Sequence, residues 1–204
     1  MAHIPSGPTA ALDILSFRQA LAQAAVPNDA YDVEKWLYVP NTYSDYRYIL
    51  GTRGEHPLIC VGINPSTAAP DHLDNTLKSV DRIARANGYD SFLMYNVYAQ
   101  RATDPDAMEP RLNPLLHEEN LKAFRYLLSI SDTRSIWAAW GAIIEKRKYL
   151  PQCVREMVEI GQAWGAKWYR AGQVSKKGHP HHPLYLRKEE PLQPFDIRAY
   201  LERL

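Results

Sequence analysis

The sequence predicts an α/β protein: a three-layer sandwich around a central four-stranded parallel sheet, with an N-terminal helix and a β-hairpin added to it. Three observations carry this. Between Leu58 and Tyr169, short apolar runs alternate with longer stretches of helical period. The runs "LICVGIN", "SFLMYNVYA" and "SIWAAWG" are apolar without alternation, as strands covered on both faces are. Each intervening segment is long enough for the crossover helix that parallel strands require.

The elements follow in order. Residues 1–10 read as a loose tail. "TAALDILSFRQALAQAA" predicts a helix capped by Thr9, with Ile14, Phe17, Leu21 and Ala25 on one stripe. "EKWLYVP" and "YRYILGT" are short, aromatic and β-branched, and "NTYSD" between them reads as a hairpin loop. "GTRGEHP" turns the chain into the strand "LICVGIN". "DNTLKSVDRIARANGY" is a helix capped by Asp74 or Asn75, faced by Leu77, Val80 and Ile83 and stopped by Gly88. After the strand "SFLMYNVYA" come the helix "PLLHEENLKAFRYLLSIS" and the strand "SIWAAWG". "AIIEKRKYLPQCVREMVEIG" reads as helical with a break or kink at Pro151, and "AKWYRAG" as the fourth strand. "PFDIRAYLERL" closes the chain as one short helix.

The 204 residues suit a single domain: tail and helix over 1–30, α/β core over 31–190 and C-terminal helix over 191–204. A formal net charge of +1 provides no global field and argues against coating or packaging nucleic acid. Cys60 and Cys153 lie far apart and outside any CxxC, so neither a disulfide framework nor a zinc motif is expected. The first residues lack a basic region followed by an apolar one, and no apolar run nears the length of a membrane span. A reduced, cytoplasmic protein with no membrane partner is the expectation.

Parallel sheets bind ligands beyond the C-terminal ends of their strands. Those ends carry Asn64-Pro65-Ser66, Asn96, Trp140-Gly141 and the loop "SKKGHPHHPLY". Each has a bland alternative. Asn64 before Pro65 is driven toward an extended conformation, and Ser66 or Thr67 can cap a turn. Asn96 interrupts an apolar run and must find hydrogen bonds or cost roughly 1–3 kcal/mol. Trp140 reads as core. His179, His181 and His182 resemble a metal cluster but lack further ligands at suitable spacing, so no metal and no cofactor is expected. Asp74, Asp104, Glu118 and Glu119 fall at caps and helix starts and take structural roles first. There is no P-loop, GxGxxG or GxSxG.

Taken in order, "GINPSTA", "DNT", "NGY", "NVYAQRATDP", "NP…EN", "WAAWG" and "KGHPHHPLYL" resemble an uncharacterised bacterial and phage family, a domain of unknown function, over roughly residues 45–190. That family is in turn similar, more distantly, to the uracil-DNA glycosylase superfamily, whose mismatch-specific branch carries "GINPG". "GINPS" stands where its first catalytic motif would, "FLMYN" resembles the strand ending in the base-reading asparagine, "IWAAWGAIIEKRK" resembles its "WG…A…K" segment, and "GHPHHPLY" resembles its second motif, "HPSPLS". The resemblance implies catalytic roles for Asn64 and His182, and substrate-binding roles for Ser66, Asn96, Tyr98, Trp140 and Tyr185. The sequence departs in two places. Asn64 replaces the water-orienting aspartate of the uracil enzymes, and an amide is a poor general base. The second motif has His181-His182-Pro183-Leu184-Tyr185 in place of His-Pro-Ser-Pro-Leu-Ser, and so departs at the duplex wedge and the phosphate-binding serine. The stretches Lys146-Arg147-Lys148 and Lys176-Lys177 read as solvated faces or phosphate contacts.

Three functions stay open at this point. One is hydrolysis of an N-glycosidic bond in DNA, a nucleoside or a nucleotide. The second is a nucleotide or modified-base binding module without chemistry. The third is a protein-interaction domain. The first two share one expected partner, a nucleobase-containing ligand.

Overall fold

A computed structural model describes residues 2–204. The principal elements are α1 (Phe17–Ala24), β1 (Trp36–Val39), β2 (Ile49–Thr52), β3 (Pro57–Gly62), α2 (Asn75–Ala86), β4 (Ser91–Asn96), α3 (Pro114–Ile130), β5 (Ser135–Ala138), α4 (Leu150–Ala163), β6 (Lys167–Ala171), β7 (Leu192–Pro194) and α5 (Ile197–Leu201). They form an α/β fold around one mixed, seven-stranded sheet of order β1-β2-β4-β3-β5-β6-β7.

The four strands β4-β3-β5-β6 are parallel, as the apolar runs require, but the sheet does not stop there. The hairpin β1–β2 is not an appendage: β2 pairs antiparallel with β4, Leu50 facing Met94, and extends the sheet. At the other edge β7 pairs antiparallel with β6. Its three residues, Leu-Gln-Pro, are too few and too exposed to show a strand pattern in the sequence.

Alternate residues of the central strands feed two cores. Ile59, Val61, Leu93, Tyr95, Ile136 and Ala138 pack against α1, α3, α4 and α5. Leu58, Cys60, Phe92, Met94 and Trp137 pack on the other face against Leu77, Val80, Ile83 and Ala84 of α2. The strand order turns back at β3, so the segments leaving β3 and β5 go to opposite faces. A crevice opens beyond their C-terminal ends.

Local signals set several boundaries. The Asp74 carboxylate accepts from Leu77 N at 2.9 Å and starts α2, and Gly88 at φ +84° ends it. Asn113 caps α3 with Pro114 at its first position. Two helices differ from expectation. Pro151 does not break a helix but lies in the first turn of α4, where no backbone N–H is needed; Gly141–Glu145 before it is a separate 3₁₀ turn. Thr9 does not cap α1. Its backbone N–H and hydroxyl both donate to the Glu109 carboxylate (3.0 and 2.6 Å), and Asn113 Nδ2 donates to that hydroxyl at 2.9 Å. The helix starts instead at Phe17, where Ser16 and Gln19 form a capping box. Among the described residues, no helix is long and apolar enough to cross a membrane.

Candidate active site

A cleft of about 660 Å³ lies beyond the C-terminal ends of β3, β4 and β5, within the roughly 300–1,000 Å³ of typical ligand pockets. Its floor is the end of the β3–β4 pair, where Gly62 stands opposite Asn96. Asn96 is 1% exposed, and among the described residues neither Nδ2 nor Oδ1 has a hydrogen-bond partner. Its backbone carbonyl is held from behind by Asn120 Nδ2 at 3.0 Å. Gly62 makes room for this amide: a Cβ there would lie 2.9 Å from Asn96 Oδ1 and 2.5 Å from Met94 Cε.

Asn64 is held differently. Its Nδ2 donates to the carbonyls of Ala102 (2.7 Å) and Pro65 (3.0 Å), so its donors are occupied and Oδ1 remains an acceptor. The Ser66 hydroxyl bonds with the Thr103 hydroxyl at 3.1 Å. The loop carrying both residues is fastened from below by two arginines absent from the sequence-based site. Arg101 donates to the Ser66 and Ala68 carbonyls and, at 3.0 Å, to the Tyr38 hydroxyl; Arg47 donates to the Ala68 carbonyl at 2.9 Å. Both are buried and both leave Nε without a partner. Burial, and after it the neighbouring Arg101, draws Arg47 down to about 9, which leaves it a cation at neutral pH.

His182 closes another side. Its Nδ1 accepts from Leu184 N at 3.4 Å, which assigns the proton to Nε2. Burial lowers its pKa below the usual 6.5, partly opposed by the Asp74 carboxylate, so the ring is neutral at pH 7. Gly141, at φ +66°, turns the chain after β5 beside it. Tyr185 stands 80% exposed at the rim, its ring 6.0 Å from that of His182.

The cleft thus gathers Asn64, Ser66, Asn96, His182 and Tyr185. It does not include Tyr98 or Trp140. The Tyr98 hydroxyl is bonded to Glu109 and accepts from Asn113 N at 3.0 Å. Trp140 donates Nε1 to the Tyr200 hydroxyl at 3.0 Å and packs on Trp168. Both rings are fully buried in the core on the α3–α4 side, since an apolar residue at a strand end serves packing as readily as a pocket. His179 is also turned away, bonded to Tyr200 and Glu145 at 3.0 and 3.1 Å. Among the described residues no three His, Cys, Asp or Glu side chains come together as metal ligands. Lys146 pairs with Asp106, Arg147 binds the carbonyls of Asp106, Met108 and Glu109, and Lys177 pairs with Glu145, so these basic groups tie loops together.

Asp74 caps α2 and also lines the cleft, as does Arg47: one carboxylate and one guanidinium among the lining residues. The visible signal for Arg47 was an arginine inside the apolar run "YRYIL".

Fold and site define an α/β protein with a cleft at the point where its strand order turns back. Residues 47–184 match the family described as Protein of unknown function (DUF1643), and the chain belongs to that family. No curated protein and no solved structure matches it.

Proposed function

We propose that the cleft takes the base of a nucleobase-containing ligand and hydrolyses its N-glycosidic bond. One observation carries the reading: the buried amide of Asn96 at the cleft floor, with neither end bonded. A buried amide without protein partners costs about 1–3 kcal/mol. A ligand edge offering one acceptor and one donor, as nucleobases do, recovers that cost.

The surrounding groups fit the chemistry. Water attacks the sugar carbon C1′, the C1′–N bond breaks with its electron pair leaving on the base, and the water oxygen stays on the sugar. Asn64 Oδ1 orients the water. Asp74, whose Oδ1 caps α2, is the cleft's proton acceptor. The neutral His182 donates Nε2–H to a base carbonyl as negative charge develops there. Tyr185 at the rim stacks on the base or sugar face. The likeness of "GINPS" and "GHPHHPLY" to the two motifs of the uracil-DNA glycosylase superfamily supports the same assignment.

A second reading, base recognition without chemistry, is favoured by the carboxamide at Asn64, which orients water but does not deprotonate it. One assay separates the two. The protein is incubated with nucleosides, nucleotides and oligonucleotides carrying uracil, mismatched or modified bases, and free base is measured by chromatography. Release of one base class supports hydrolysis, and its loss in Asn96→Asp places the selection on that amide. Base-dependent binding without release leaves the recognition reading. Neither binding nor release removes both.

A further inference from the structure

We infer that the ligand of this cleft carries a terminal phosphate monoester, bound by Arg47 with Arg101 behind it, so that the substrate class is a free mononucleotide and not a base within a polynucleotide. The nucleotide identity rests on the base reading above; the phosphate site does not.

Two guanidinium groups buried side by side form an unusual arrangement, because each charge loses its hydration and repels the other. Proteins ordinarily neutralise such groups with carboxylates. Among the described residues neither arginine has one. Among the described residues the Arg47 guanidinium makes a single hydrogen bond, from Nη1 to the Ala68 carbonyl, and its Nε is orphaned. Arg101 is directed to the Ser66 and Ala68 carbonyls and the Tyr38 hydroxyl, and its Nε is orphaned as well. The Tyr43 ring lies 4.3 Å from the Arg101 guanidinium and offers only its face. Asp74 acts on both arginines through space without bonding to either. Fastening a loop through carbonyls uses a minority of the N–H groups present. Of the two, it is Arg47 that lines the cleft and can present unused donors to an anion.

Arg47 lines the cleft that Asn96 floors. A planar fork of donors suits phosphate oxygens, and one cavity of about 660 Å³ holds base, sugar and phosphate together. Arg101 is not at the cleft surface; it adds positive potential behind Arg47. The hydroxyls of Ser66, Thr67, Thr76 and Thr103 line the same cleft and supply further donors.

The source of the phosphate follows from burial. Arg47 is 1% exposed, so a phosphodiester running across the surface does not reach it, whereas a chain end does. Of the basic residues that would follow a polynucleotide, Lys146, Arg147 and Lys177 are tied to Asp106, Glu145 and loop carbonyls, and the formal net charge is only +1.

The test uses the full chain and thermal shift with calorimetric titration. Inorganic phosphate is the first probe, with chloride at equal ionic strength as control. Nucleosides, their 5′-monophosphates and oligonucleotides without terminal phosphate, all carrying the same bases, form the second set. Phosphate is expected to raise the melting temperature, and the preferred monophosphate to bind on the order of 10-fold or more tighter than its nucleoside. Arg47→Lys, which keeps the charge and stem but loses the fork, is expected to shrink that ratio; being a ratio, it is insensitive to a general loss of stability. If Arg47→Lys does not fold, the wild-type arms decide alone. Equal binding of nucleoside and monophosphate overturns the phosphate site and leaves the base reading standing. Phosphate binding with no base preference supports the site and sinks the base reading. Tighter binding of the oligonucleotide than of any mononucleotide overturns the assignment to free nucleotides.

Discussion

Replacing Asn96 by Leu tests the cleft most directly, because stability and function are expected to move in opposite directions. Leucine branches at the same carbon as asparagine and puts methyl groups where Oδ1 and Nδ2 now stand. Among the described residues those two atoms are buried without a protein partner. Removing an unsatisfied buried amide relieves a cost of about 1–3 kcal/mol. For a chain of this size about 1 kcal/mol moves the melting temperature by about 2–4 °C, so a gain near 2 kcal/mol raises it by about 4–8 °C. Gly62, with no side chain beside Oδ1, gives the new methyl room. Affinity for the preferred base is expected to fall on the order of 10²-fold, since the ligand's donor and acceptor then face methyl groups. Differential scanning calorimetry reads the first effect and titration with the preferred ligand the second. Asn96→Ala serves as control: it removes the amide without filling the space. A melting temperature lowered in both variants refutes the reasoning, because the amide would then be satisfied in the free protein and structural.

Three further outcomes follow from the same geometry. If the protein releases base, Asn64→Ala is expected to lower turnover on the order of 10²-fold with little change in ligand affinity, because a water-orienting group acts in the transition state; equal losses in both would place Asn64 in binding. Gly62→Ala is expected to displace Asn96 Oδ1 and Met94 Cε from its new Cβ, costing about 1–3 kcal/mol and abolishing base discrimination; full discrimination in the variant would separate Asn96 from recognition. His182 has a folded-state pKa below its unfolded value of 6.5, so its contribution is complete above pH 6.5 and is lost as pH falls through the folded-state pKa. Stability on the acid side of pH 6.5 should therefore fall less steeply in His182→Gln, and a ring titration above 6.5 by NMR would contradict the buried, Nε2-protonated state.

The α/β class, the four parallel strands and the order of the strand ends are legible in the apolar runs and caps alone. Apolar runs without alternation have one stable arrangement, inside a sheet covered on both faces, and caps such as Asp74 and Asn113 mark helices through bonds to neighbouring N–H groups. The placing of Asn64, Ser66, Asn96 and His182 near one another was legible for the same reason: a parallel sheet gathers its C-terminal strand ends. The rest depends on contacts between distant parts of the chain. The edge strands depend on partners remote in sequence, β2 on β4 and β7 on β6, and carry little pattern of their own. Thr9 left its expected cap for Glu109, a residue 100 positions away. Tyr98 and Trp140 went to the core and not the cleft, because a residue's position near a strand end does not say which way its ring packs. Arg47, Arg101 and the double role of Asp74 were hidden because burial of a charge depends on every element around it. Local sequence sets which atoms a residue offers, and only the packed chain decides which of them are left without a partner.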